Sequence, residues 1–392
     1  MLTMAGFTSA QTWTQTTASS NSWSSIACSA DGSKLVAVGN SSSPIYISTN
    51  YGATWTPNST TTNNWLHVAS SADGTKLFAA SGPSQTYLST NGGSTWYNGY
   101  AVPGAGGGQI SCIASSADGS KLFFTTEIAG GGILYFSTNA GLPFRRMISA
   151  PPLTSVACSA DGTKLFGGGI FTTYISTNSG SSWVTNYSDI QGGSWVVASS
   201  ADGTKLAAAV NFGNGDIITS TDGGTTWVTN TVPQLSWWQG ISVSADGTHL
   251  VAAAWNGSDP QTGPIYTSTN SGLTWISNNV PNQTWQGLAC SADGNEFVAV
   301  SEDNGNGIGS PGTGQIWISQ SQPVPQLNLT PSPFDLTLAW TVPSTNFILQ
   351  QSADLISWAD VTDSPVLIYT NLQNQVTLSP TNSAAFYRLT TP

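Results

Sequence analysis

Charge is scarce in this chain. Asp, Glu, Lys and Arg make up 7% of its 392 residues, where about 25% is usual for soluble domains. Lys and Arg together number 8 against 19 acids, a formal net charge of −11. Without a basic patch nothing neutralises phosphates, which excludes nucleic acid and anionic membrane as partners. Histidine is almost missing: His67 and His249 stand alone at unrelated points of the chain. A His-based metal site or catalytic triad needs more, so no cofactor, metal or catalytic residue is expected. No apolar run approaches the roughly 18 residues of a membrane span. What remains to keep the chain in solution is Ser, Thr, Asn, Gln and Gly, a composition of extracellular surfaces, and a secreted or cell-surface location is expected. The start, MLTMAGFTSAQTW, has a small-residue T-S-A ending at Ala10, like the tail of a signal peptide without the charged and long apolar parts. Hydrophobic residues at 39% and 16 Trp exclude wholesale disorder.

Against that spare background a repeat stands out. Six times the chain writes nearly the same eight letters, STNYGATW, STNGGSTW, STNAGLPF, STNSGSSW, STDGGTTW and STNSGLTW, from Ser48, Ser89, Ser137, Ser176, Ser220 and Ser268. A second phrase, S-A-D-G-[ST]-K-L and its variants, places its aspartate at Asp31, Asp73, Asp118, Asp161, Asp202, Asp246 and Asp293. A period in the forties with four short apolar runs per unit is the signature of a β-propeller blade. Seven phrases predict seven blades. In each, the Asp-Gly pair is expected to supply the positive φ angles of a two-residue hairpin. The seventh unit reaches Gln315–Ser319 and then breaks without a box, while Thr12–Gln15 reads like Thr54–Pro57 after the first box. The N-terminal strand is therefore expected to complete blade seven and leave no open edge.

The eight-letter phrase resembles the Asp-box, S-x-D-x-G-x-T-W, of the sialidase-like BNR-repeat superfamily. STDGGTTW, from Ser220 to Trp227, carries the consensus Asp; the other copies have Asn, which holds the same turn. The resemblance implies a propeller in which the box is a folding element away from any active site. Sialidases of this fold use three arginines, a Tyr nucleophile, a Glu and an Asp acid. Here the arginines are Arg145 and Arg146, adjacent on one strand, and Arg388 in the tail. The triad cannot be assembled, so a non-catalytic member is expected. All five lysines, Lys34, Lys76, Lys121, Lys164 and Lys205, belong to the S-A-D-G-[ST]-K phrase and read as framework.

The expected organisation is an N-terminal extension over 1–11, the propeller over 12–319, a Pro- and Gln-containing linker over 320–326, and a small β-domain over 327–392. Six short strands read in the tail, which resembles small C-terminal β-domains of secreted bacterial proteins through W358-A-D-V361 and F386-Y-R-L389. Surface attachment, sorting or self-association is what that likeness implies. Of the 4 Cys, Cys28 and Cys290 are the one pair a disulfide could join across the ring closure; four free, buried thiols are the favoured reading.

Candidate ligand contacts are aromatic. Trp23, Trp65, Trp195, Trp238 and Trp285 each begin an innermost strand, and Trp237 and Trp255 add to blade six. Loops on the same face carry Glu127, Asp216, Asp259, Glu302 and Asp303. Indoles beside Asn and Gln suit sugar stacking; the bland alternative is that they wedge between blades. Asp303-Asn-Gly-Asn-Gly307 hints at a calcium loop but lacks the full alternation of oxygen ligands. The expected function is a secreted, non-catalytic recognition or adhesion protein binding an extracellular glycan or cell-surface component, with Asp259 and Glu302 beside the indoles. Two alternatives stand next to it: a structural subunit of an extracellular filament or surface assembly that self-associates through the C-terminal domain, and a glycoside hydrolase using a pair of loop carboxylates. A chaperone-like assembly role, as in BNR-type photosystem assembly factors, would call for a basic binding face that this chain lacks.

Overall fold

The computed structural model describes residues 11–390 apart from 83–84, 100–107, 128–131, 189–192, 211–214, 231, 233–236, 256–261, 303–312, 321–326, 333–334, 342–347, 354–356, 364, 369–372 and 379–385. The described chain is all β. Seven four-stranded antiparallel sheets follow one another, and their innermost strands touch in a closed circle that returns from the last sheet to the first. Blade one is typical: Trp23–Cys28 innermost, then Leu35–Gly39, Ser43–Ser48 and Thr56–Asn63 outermost. Second strands such as Leu35–Gly39, Leu77–Ser81 and Leu206–Val210 are buried at every residue. Both of their faces meet a neighbouring blade, which is why they read as unbroken runs of Leu, Val and Ala and not as alternating patterns.

The ring closes as the sequence implies. Trp13–Gln15 is the outermost strand of blade seven, pairing Trp13 with Ser319 and Gln15 with Trp317. Trp13 is buried against Trp285 and Phe297, so the first described strand is anchored by an indole as well as by its ladder.

The S-A-D-G phrase differs from a two-residue hairpin. Ser29 N donates to the Lys34 carbonyl at 2.8 Å and Gly32 N to the Ser29 carbonyl at 3.0 Å, which makes a four-residue loop with a tight turn inside it. Gly32 has φ of 73° while Asp31 does not enter the left-handed region. The aspartate instead ties the loop by its side chain, accepting from Ser33 N at 3.1 Å and from the Ser33 hydroxyl at 2.8 Å. The longer loop frees the alanine. Ala30 N donates to Ala72, Ala72 to Ala117, Ala117 to Ala160, Ala160 to Ala201, Ala201 to Ala245, Ala245 to Ala292, and Ala292 back to Ala30, each at 2.7–2.8 Å. Seven backbone hydrogen bonds thus form a closed circle at one end of the axis.

The lysine of the phrase reaches across four of the seven seams. Lys34, Lys76, Lys121 and Lys164 donate from Nζ to the carbonyls of Asp73, Asp118, Asp161 and Asp202 in the next blade, each at 2.7 Å. In the boxes, the Asn50 amide oxygen accepts from Thr54 N at 2.9 Å, and Asp222 does the same for Thr226 N at 2.8 Å. Hydrogen bonds from Thr226 and Ser220 hold the Asp222 carboxyl down at about 2. All four cysteines are free and half-buried; the Cys28 thiol donates to the Cys290 carbonyl at 3.2 Å.

The tail forms two sheets of its own: Asn328–Pro331, Leu336–Thr341, Gln373–Leu378 and Val366–Ile368 in one, and Ala359–Asp360, Ile348–Ser352 and Phe386–Thr390 in the other. Leu338, Trp340, Leu349 and Val376 are its buried centre. Asn328–Pro331 is a strand beyond the six expected. Most of the expected linker lies outside the described residues, while Gln320 ends the third strand of blade seven.

Candidate functional site

The axis of the ring holds a cavity of ≈ 730 Å³ lined by the innermost strands of all seven blades. The alanine circle marks one end. The other end, where the innermost strands begin, is the mouth.

The indoles that begin those strands are buried. Trp23, Trp65, Trp238 and Trp285 are 0% exposed and Trp195 1%. Trp65 Nε1 donates to the Ser43 carbonyl and Trp285 Nε1 to the Gly263 carbonyl, both at 2.8 Å, each in the preceding blade. These five side chains wedge between blades, so the expected contact with ligand is corrected: a strand start places the backbone at the mouth, but parity sends the side chain into the seam. Trp255 differs. It is half-buried and directly opposite Trp237, itself half-buried. Asp259 and Asp303 lie outside the described residues.

In five blades the channel receives a residue inserted near the start of the innermost strand. Register slips fall between Trp23 and Ser25, Trp65 and His67, Ile110 and Cys112, Trp238 and Gly240, and Trp285 and Gly287. Each slip is a β-bulge, which inserts one residue and re-aims a side chain. The inserted residues are Ser24, Leu66, Ser111, Gln239 and Gln286, and all of them line the cavity.

A second set rims the mouth. Among the described residues, the one nine places after the S-A-D-G aspartate stands at or just past the end of the second strand: Asn40, Gly82, Glu127, Ile170, Trp255 and Glu302; Asn211, at the same spacing in blade five, lies outside the described residues. The spacing from the aspartate is fixed here while the residue type changes from blade to blade. Glu127 pairs with Gln109 and Trp255 with Trp237, while Asn40 N donates to the Ser22 carbonyl at 2.9 Å and Glu302 N to the Thr284 carbonyl at 3.0 Å. Three neighbouring blades, six, seven and one, therefore carry an indole, a carboxylate and an amide in turn. Gln286 Nε2 donates to Glu302 Oε2 at 3.1 Å, and Asn40 Nδ2 to Glu302 Oε1 at 3.4 Å. Glu302 is held across the ring closure by two amides that both line the channel.

Titratable groups elsewhere in the channel are quiet. Desolvation lowers His67 to about 4 against a small opposing contribution from the Ile110 backbone, so the ring is neutral at physiological pH. Burial pushes the Cys158 thiol up to about 12, with Asp161 adding to it, and burial raises Cys112 as well. These thiols stay protonated and unreactive. Among the described residues no group of three His, Cys, Asp or Glu could hold a metal ion. Of the loop acids, Glu127, Asp216 and Glu302 are described and belong to blades three, five and seven, so no two adjacent blades supply a pair among them. The rim was invisible to a search for motifs. Its one signal in the sequence is the fixed spacing from the aspartate combined with variable identity.

No protein-family profile matches the chain, and no curated protein matches it in sequence. Solved structures do resemble it in fold. YCF48 from Cyanidioschyzon merolae superposes with a TM-score of 0.55 at 13% identity, over 80% of this chain and 98% of that one. YCF48 bound to D1 peptide gives 0.55 at 15% identity, over 83% and 98%. A GH74 xyloglucanase from Xanthomonas campestris gives 0.57 at 15% identity, over 84% of this chain and 59% of the xyloglucanase. At such identities the likeness is one of propeller fold.

Proposed function

We propose that the protein is a secreted or cell-surface, non-catalytic recognition protein that binds glycan at the mouth of its channel. The observation that carries this reading is the sector over blades six, seven and one. There the opposed indoles of Trp237 and Trp255 stand at the end of the same strand pair whose bulge sends Gln239 into the channel, and Gln286, Glu302, Asn40 and Ser24 follow. An indole face meets the C–H face of a sugar, and side-chain amides pair with hydroxyls. The same fold serves a xyloglucanase and, in YCF48, a bound peptide, so fold alone decides neither chemistry nor ligand. A glycan array probed with the full chain and with Trp255→Ala tests the reading. Hits that disappear with the substitution, while the melting temperature holds, support it; an array without hits removes it.

A structural role through the C-terminal domain has its own support. Leu329, Val366 and Phe386 are 53%, 62% and 41% exposed, and each lies on an outer strand of its sheet. Exposed apolar edges are templates for strand pairing. Truncation at Gln322 followed by light scattering tests this: a truncated monomer beside an associating full chain favours it, and unchanged assembly excludes the tail as the connector.

A further inference from the structure

Resting on the glycan reading, we propose that the sector over blades six, seven and one selects sugars bearing a free amino group, as in N-unsubstituted hexosamine glycans, and rejects acidic sugars. The rim places the Trp255 indole in the blade next to the Glu302 carboxylate. An aromatic face and a carboxylate are the two groups that stabilise an ammonium ion, the first through its quadrupole and the second through charge. Glu302 is prepared for this. Its two oxygens each accept one amide hydrogen bond, from Gln286 at 3.1 Å and Asn40 at 3.4 Å, which leaves acceptor capacity on a carboxylate that offers about four sites. Those donors fix its position, so a ligand ammonium meets an ordered partner. The residues lining the cavity include Glu127 and no Lys or Arg. The propeller's lysines that bridge seams are committed to Asp carbonyls at the alanine end. An anionic sugar would therefore enter a mouth with acids and no cation to receive it. A neutral N-acetyl sugar would gain the indole but not the charge.

The test compares glucosamine oligomers, their N-acetylated counterparts and oligogalacturonate as ligands for the full chain, near pH 6 and at two salt concentrations. The expected result is binding of glucosamine oligomers at least about tenfold tighter than the N-acetylated series, weakened by salt, with no binding of oligogalacturonate. Glu302→Gln should erase the preference by weakening the glucosamine oligomers at least about tenfold relative to the N-acetylated series. Asp363→Asn, an equal change of net charge in the tail, should leave the preference intact. Equal affinity for the two amino-sugar series, or a preference unchanged by Glu302→Gln or lost equally with Asp363→Asn, overturns the inference while the glycan reading stands. Failure of every sugar to bind overturns both.

Discussion

The two ends of the channel are built by the same seven repeats and obey different rules. At the alanine end every blade contributes the same loop, the same backbone donor and acceptor, and in most seams the same lysine. At the mouth, the position nine residues after the aspartate runs, among the described residues, through Asn40, Gly82, Glu127, Ile170, Trp255 and Glu302. Repetition at one end satisfies backbone groups that would otherwise be buried without partners. Variation at the other costs the fold little, because a side chain at the rim is not wedged between blades. The difference teaches where to look in a repeat protein: not at its motifs, but at the structural position where the motifs let go.

The largest effect should come from opening the ring. Deleting residues 1–17 removes the outer strand of blade seven together with the buried Trp13; loss of one buried Trp side chain alone costs about 3–5 kcal/mol. A denaturant midpoint that does not move would show that closure by this strand contributes nothing. Next, Trp285→Ala and Trp255→Ala separate the two ends of the argument. Trp285 is fully buried, and its loss should cost about 3–5 kcal/mol, whereas the half-buried Trp255 should cost less and weaken ligand instead. Comparable melting shifts for the two variants would erase the distinction between wedge and rim.

Acidification should act through the channel wall. The folded pKa of His67, about 4, lies below the unfolded value of about 6.5. Between these values the unfolded chain binds a proton that the folded chain refuses, so stability is lost as pH falls from about 6.5 towards 4. A dry ring would give about 3 kcal/mol over that window; His67 is half-buried and lines the channel, and water there reduces the expectation to about 1–2 kcal/mol. His67→Asn should flatten the slope, and a slope that survives the substitution would place the titration elsewhere. The smallest effect belongs to a seam. Lys121→Met removes the 2.7 Å bond to the Asp161 carbonyl and should cost about 0.5–1 kcal/mol; calorimetry resolves a shift of that size.

The fold was legible because its grammar is local and repeated. Ring closure could be read from Thr12–Gln15, since a missing fourth strand at one terminus matched a spare fragment at the other. The turn differs in detail: Asp-Gly names a tight turn, but the two extra residues that release Ala30 go with a hydrogen bond to the neighbouring blade. The indoles were misplaced for the same kind of reason. Trp285 begins its strand at the mouth as anticipated, yet whether its ring enters the seam or the channel turns on strand parity and on a bulge one residue later, and neither is written in the spacing. Glu302 was picked out as a loop acid, while its clamp of Gln286 and Asn40 joins residues from opposite ends of the propeller. No window of sequence brings those three together.

The circle of alanine hydrogen bonds carries one more consequence. A helix or a strand pair has ends, and exchange of its amide protons with solvent begins there by fraying. The chain of donors from Ala30 through Ala292 back to Ala30 runs in a single rotational sense and has no first or last member. Its peptide dipoles circulate and cancel across the axis, so unlike a helix it presents no charged pole to whatever approaches that end. With no terminus to fray, none of the seven amides can exchange ahead of the others without breaking the circuit. Their protons are expected to leave as one cooperative set, at a rate close to that of global unfolding.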